Sequence, residues 1–147
     1  ALGLISEYCS NTRVSFGIQS GSDRVLAAIG RGHTVAEGIR AVELCREHGL
    51  VPVADLIMGF PFETPEDEEA TLALIRTVAR SGRVRLHAFL PLPGTPLAGT
   101  VPRPVSPAAG RFLGRLALAG KLTGTWVHPG TGKPRSSTRG RTNPVLP

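Results

Sequence analysis

A small set of side chains in this sequence could do chemistry. Gln19-Ser20-Gly21-Ser22 puts an amide, two hydroxyls and a glycine where the apolar run Val14-Ser15-Phe16-Gly17-Ile18 stops. A plain turn needs one or two such residues. Several polar groups beside a glycine that lets a ligand approach the backbone suit a binding loop. Asp55 is the lone acid in the apolar run from Val51 to Met58, and a carboxylate taken from water needs a partner, which Arg85 or a substrate amine could supply. Arg85 and His87 alternate with Val84, Leu86 and Ala88, so the two share a face. Two further loops, Gly59-Phe60-Pro61-Phe62-Glu63 and Pro91 to Pro96, follow apolar runs in the same way. Each position also has a plainer reading: capping for Gln19-Ser20, an internal hydrogen bond for Asp55, a packed interior residue for His87, a helix-start acid for Glu63, and core for Cys45.

Several familiar chemistries are excluded. Gly130-Thr131-Gly132-Lys133 lacks the glycine spacing of a phosphate loop, and Pro134 follows its lysine. No G-x-G-x-x-G follows the first apolar run, and no G-x-S-x-G elbow is present. Cys9, Cys45 and the four histidines have no zinc spacing, and Ser20 has no histidine partner that spacing can name. No catalytic residue and no metal ligand are therefore assigned.

The elements that must hold these groups are repeated strand–helix units. A strand from Arg13 to Ser20 leads to a helix capped by Ser22, which ends at Gly30 and Gly32. Thr34-Val35-Ala36-Glu37 is a capping box for a second helix, closed by His48-Gly49. The strand Val51 to Met58 follows, apolar enough to be buried on both faces. Thr64-Pro65-Glu66-Asp67 opens the next helix with an N-cap, a first-turn proline and acids facing the helix dipole. A third strand spans Val84 to Leu90, and Ser106-Pro107 starts a last helix reaching about Gly120.

Three consecutive β/α units at this spacing predict an α/β fold with parallel strands, either an open sheet or an arc of a β/α barrel. In both, ligands bind at the carboxyl ends of the strands, where all three candidate loops fall. Alternation puts Ser15, Gly17 and Gln19 on one face of the first strand and Arg85 and His87 on one face of the third. With Asp55 and Ile57 turned the same way, these polar faces would line a lumen while helices cover the apolar ones.

Charge is unevenly spread. Residues 1–69 hold all 11 acids and 5 of the 17 basic residues, whereas residues 70–147 hold the other 12 basic residues and no acid. A polyanion such as nucleic acid is the partner this suggests, against the plainer reading of a solvated arginine-rich surface. Residues 131–147 are expected to be a disordered basic tail without aromatics for base stacking. Two cysteines without a signal peptide favour a reducing, cytoplasmic setting, and no apolar stretch reaches membrane-spanning length.

Three motifs together resemble one known family. Gly17-Ile18-Gln19-Ser20-Gly21-Ser22-Asp23 with Val25-Leu26 and Arg31-Gly32 resembles the fourth-strand region of radical S-adenosylmethionine enzymes, in particular the methylthiotransferase-like and cobalamin-binding branches. Asp55-Leu56-Ile57-Met58-Gly59-Phe60-Pro61, with Glu63-Thr64, resembles their fifth-strand motif, and Phe89 to Leu97 their sixth. The likeness covers residues 13–98, and Leu113 to Trp126 is similar to the end of a cobalamin-binding subgroup.

The resemblance implies a partial TIM-type barrel binding S-adenosylmethionine beside a [4Fe–4S] cluster, which would cleave the sulfonium to a hydrogen-abstracting 5′-deoxyadenosyl radical. It implies cofactor contacts from Gln19, Ser20 and Gly21 near the ribose or methionyl part, from Ile57, Gly59 and Pro61 by the adenine, and a rim from Pro91 to Pro96. Asp55, Arg85 and His87 would face substrate or lumen. The C-x-x-x-C-x-x-C cluster motif is absent, and Phe62 stands where the family has a glycine. The expectation is thus the C-terminal half of a barrel over residues 1–105, a helical extension over 106–130, and the tail. Its partner would be the N-terminal half, carrying the cluster ligands and, in a further domain, cobalamin. Alone the chain would be inactive, with an uncovered sheet edge prone to aggregation. A non-catalytic β/α module, or another barrel enzyme holding an anionic metabolite, are the alternatives, and the substrate is unassigned.

Overall fold

The computed structural model describes residues 2–10 and 12–126. The expected basic tail, 131–147, lies outside the described residues. The element order is α1 (Leu2–Tyr8), β1 (Arg13–Gln19), α2 (Asp23–Ala28), α3 (Val35–Glu47), β2 (Val51–Met58), α4 (Pro65–Ala79), β3 (Arg83–Ala88), α5 (Pro107–Leu118) and β4 (Leu122–Thr125). The strands form one sheet in the order β1-β2-β3-β4, parallel throughout. This is the expected α/β arc, enlarged by β4.

The capping signals act where the sequence put them. Ser22 accepts from the Val25 amide, and Thr34 and Thr64 form capping boxes with Glu37 and Asp67. Gly49 closes α3 at φ 72°, a backbone geometry that glycine adopts without a Cβ clash. β3 ends at Ala88, two residues before its apolar run does, and the Phe89 amide makes the last bond to β2, donating to the Met58 carbonyl at 2.8 Å. β4, with sequence LTGT, has no apolar alternation to announce it; its place is made by tertiary contact, since Leu122 is buried and Gly124 sits against Leu86.

One face of the sheet is buried. Ile18, Ala54, Leu56, Met58, Val84 and Leu86 meet Leu72, Ile75 and Val78 of α4 and Leu113 of α5 in a single core. Each of these side chains other than Ala54 contributes roughly 1.5–3 kcal/mol through removal from water. The opposite face is open. β2 alternates buried and half-buried residues along its length, so it is covered on one side only, not on both as its composition suggested. The open face carries Ser15, Gly17, Asp55, Ile57, Arg85 and His87, the set that alternation predicted. No helix among the described residues is long and apolar enough to cross a membrane.

Candidate functional site

The loops after β1, β2 and β3 meet at the carboxyl end of the sheet and enclose a cleft of about 610 Å³. Its walls include Gln19, Arg31, Ile57, Phe60, Phe89 and Pro96. Ligand sites for small molecules span ~300–1,000 Å³ and are mostly apolar with a few placed polar groups. Here the apolar wall is built from ring to ring: Phe60 stands 5.0 Å from Phe89 and 5.6 Å from Phe62, with Val25 and Ile57 packed on them. The polar side chains are the Gln19 amide, the Arg31 guanidinium and the Thr95 hydroxyl, which donates to the Leu92 carbonyl.

Gln19 sits where the β1–β2 register breaks, and it is the described non-glycine residue with positive φ, 75°. That conformation costs ~1–2 kcal/mol for a residue with a Cβ. It folds the Gln19 amide back over Gly17: a Cβ on Gly17 would stand 2.8 Å from Gln19 Nε2 and 3.2 Å from an Arg31 nitrogen. Arg31 Nη2 donates to the Gly17 carbonyl at 2.6 Å. The bare glycine in the strand thus makes room for the Gln19 amide and the Arg31 guanidinium.

Ser20 and Gly21 face elsewhere. Ser20 is fully buried, its hydroxyl 3.3 Å from Thr71 Oγ1 and accepting from the Ser22 amide. The Gly21 amide donates to Thr71 at 3.0 Å, and a Cβ there would stand 2.4 Å from the Ala70 carbonyl oxygen. Ser22 donates to Asp67 Oδ1 at 2.6 Å. Arg24 donates to Asp67 and to the Phe62 carbonyl. Most of the polar cluster therefore latches the first loop onto α4 and the second loop, and Gln19 alone of Gln19–Ser22 lines the cleft.

Burial pushes the Asp67 carboxyl upward, but donation from Arg24, Ser22 and Thr64 outweighs it and holds the group well below the usual carboxylate range.

The second loop turns on Gly59, at φ 91°. Its amide donates to Glu63 Oε2 at 2.5 Å, and its carbonyl accepts from the Arg103 amide at 2.9 Å. Glu63 is not a helix-start acid. It precedes the N-cap Thr64, is 6% exposed, and ties the loop to itself. Its Oε1 has no partner among the described residues. Burial pushes its carboxyl up, against the pull of the Gly59 and Phe60 amides. Pro61 bridges Phe60 and Phe62 and is half-buried outside the cleft wall.

On the open face, Arg85 Nε donates to Asp55 Oδ1 at 2.7 Å, and Arg85 Nη2 donates to Asp55 Oδ2 at 3.2 Å and Ser15 Oγ at 2.9 Å. This is the partner Asp55 required. His87 Nδ1 is 3.4 Å from Thr125 Oγ1. Sequence reasoning did not assign Arg31, Phe60, Phe89, Arg24 or Asp67 to the site. The two phenylalanines carry a usable signal, each lying just past the end of a strand. Arg31 lies beyond α2, and no spacing rule connects it to Gln19.

An iron–sulfur cluster needs several thiolates, and this donor set does not fit one. Cys9 is exposed and Cys45 is buried, both are free thiols, and no group of His, Cys, Asp and Glu among the described residues could hold a metal ion. The cleft does fit a ligand with a flat ring and a polar, charged end.

The chain is 33% identical over 103 residues to an uncharacterised protein of Methanopyrus kandleri, covering 69% of this chain and 20% of that one. It is 43% identical over 81 residues to the tRNA-2-methylthio-N(6)-dimethylallyladenosine synthase of Paracoccus denitrificans, covering 54% of this chain and 18% of that one. The corresponding synthase of Cereibacter sphaeroides is 40% identical over 106 residues, covering 71% and 24%. The chain thus spans about a fifth of the length of these relatives. In fold it is similar to the radical S-adenosylmethionine methyltransferase TsrM from Kitasatospora setae, solved with cobalamin and a [4Fe–4S] cluster bound. The TM-score is 0.56 at 24% identity, over 65% of this chain and 18% of that one. The sequence profile of the Radical SAM superfamily matches residues 2–75, and the chain belongs to that superfamily.

Proposed function

We propose that the cleft at the carboxyl ends of β1, β2 and β3 binds S-adenosylmethionine as one wall of a radical SAM enzyme, with the cluster ligands supplied from outside the described residues. The observation that carries this is the composition of the cleft: an aromatic and aliphatic wall of Ile57, Phe60 and Phe89 opposite the Gln19 amide and the Arg31 guanidinium. The wall suits an adenine ring, which gains dispersion and stacking there. Gln19 would donate to or accept from ribose hydroxyls, and Arg31 would meet the methionyl carboxylate. Ser20, Gly21 and Pro61 would act indirectly, by holding the loops that carry Gln19, Gly59 and Phe60. In this superfamily the bound sulfonium, opened reductively at an iron–sulfur cluster, supplies a radical that takes hydrogen from a substrate.

The open sheet face and the outer edge of β1 support a further part of this reading. Remaining strands of a barrel would close on them, enclosing Asp55, Arg85 and His87 in a lumen. Cobalamin, in a domain other than this one, and a cytoplasmic setting that keeps Cys9 and Cys45 as free thiols belong to the same proposal. Calorimetric titration with S-adenosylhomocysteine tests the site without the cluster. Saturable binding that is lost in Phe60→Ala and weakened at least tenfold in Arg31→Ala is the expected result. Heat-silent, unsaturable titration of a folded chain would sink the proposal.

A further inference from the structure

At the opposite end of the sheet from the cleft lies a second groove, of about 630 Å³, lined by Arg13, Arg80, Arg83 and Lys121 together with Thr12 and Ser81. Arg13 opens β1, Arg83 opens β3, Lys121 immediately precedes β4, and Arg80 caps the end of α4. Five other arginines, Arg24, Arg40, Arg76, Arg85 and Arg103, are paired with carboxylates. None of the four groove cations forms an ion pair with a described residue. The groove lining contains no acid. One cation has a protein acceptor, Arg83 Nη1 donating to the Gly120 carbonyl at 3.4 Å. Carbonyls at the ends of α4 and α5 favour cations nearby, but by only ~0.3–1 kcal/mol each, and they do not require a concave site.

We infer that this groove binds the phosphodiester backbone of a single-stranded nucleic acid. The ligand must be anionic, because four unpaired cations in one concavity repel each other and focus a positive potential. It must be extended, because the row runs from β1 to β4 across three strand spacings, about 14 Å at ~4.8 Å per spacing. One phosphate cannot meet both ends of that row; successive phosphates along a chain can. Thr12 and Ser81 add hydroxyl donors that suit phosphate oxygens. No aromatic ring lines the groove, so the contact reads backbone and not base.

The test is fluorescence anisotropy of the full chain with labelled oligouridylate 12-mers over a salt series. Each phosphate neutralised on a single strand contributes about 0.7 to the slope of log K against log salt. Arg80→Gln, Arg83→Gln and Lys121→Gln combined should flatten the slope by about 2 on that basis. The charge-keeping set Arg80→Lys, Arg83→Lys and Lys121→Arg should retain the slope, which separates charge from folding. A control set removing equal charge elsewhere, Arg40→Gln, Arg46→Gln and Arg111→Gln, should leave it nearly unchanged. The proposal is overturned if the groove and control sets behave alike, or if the slope responds only to Gln substitution of Lys133, Arg135, Arg139 and Arg141. It is also overturned if uridine monophosphate or inorganic phosphate displaces the oligomer at equal phosphate concentration, which would make this a small-anion site.

Discussion

Replacing Asp67 by Asn tests how the cleft is held together, because Asp67 joins the first loop, the second loop and the start of α4. The substitution keeps shape and removes charge. Its Oδ2 accepts from the Thr64 amide at 2.8 Å and from Thr64 Oγ1 at 3.0 Å. An amide nitrogen there cannot accept, so the reciprocal half of the capping box is lost, about 1 kcal/mol. The Ser22 bond at 2.6 Å becomes neutral instead of charge-assisted, about 0.5–1 kcal/mol. The Arg24 pair adds less, about 0.5 kcal/mol, because the Arg24 side chain is 53% exposed and water screens it. The sum is about 2 kcal/mol, or a Tm lowered by about 4–8 °C for a chain of this size.

The pH dependence has a definite sign. Asp67 has a folded-state pKa below its ordinary 3.8, so its stabilisation is fully present above that value and is lost as pH falls through and below it. Thermal melts of parent and Asp67→Asn at pH 7, 5, 4 and 3 should therefore show a constant deficit down to about pH 4 that shrinks below. A variant melting within 1 °C of the parent at pH 7 would refute the reasoning. So would a deficit as large at pH 3 as at pH 7.

Glu63 should behave in the opposite sense. Its folded-state pKa is raised above 4.5, so the parent loses stability relative to Glu63→Gln as pH rises past 4.5, and urea titrations at pH 4 and 7 should show the variant gaining on the parent. Gly21→Ala forces α4 away from the first loop, since the new methyl meets backbone at 2.4 Å, and should lower stability by about 1–3 kcal/mol and weaken S-adenosylhomocysteine binding together. Asp55→Asn should change stability by less than about 1 kcal/mol, because the pair with Arg85 is part-exposed on the open face. A loss of several kcal/mol in a chemical melt would show that this face is a packed interior instead.

Much of this is legible in the amino-acid sequence. Caps and turns are local: a hydroxyl three residues before the amide that donates to it, or a glycine at a left-handed position, needs only the neighbouring chain, so Ser22, Thr34, Thr64 and Gly49 were readable one by one. Alternation is local as well, and it placed Ser15, Asp55, Arg85 and His87 on one face. The existence of β4 was not readable, because LTGT gains its place from Leu122 burying against the core and not from its own pattern.

The sequence by itself determined the parallel β/α order, the end of the sheet where the three loops form a cleft, the superfamily, and Asp55 as a carboxylate needing a cation. Only the tertiary structure decided which polar residues face the cleft. Gln19, Ser20 and Ser22 are equivalent as letters in a loop. The positive φ of Gln19 aims one into the cleft, while Thr71 and Asp67, distant in sequence, draw the other two into α4. Glu63 likewise reads as the first acid of a helix, and becomes the buried acceptor of the Gly59 amide because the loop folds back on itself. Side-chain direction at a strand end depends on partners the chain brings from far away, and that information is absent from any short stretch of sequence.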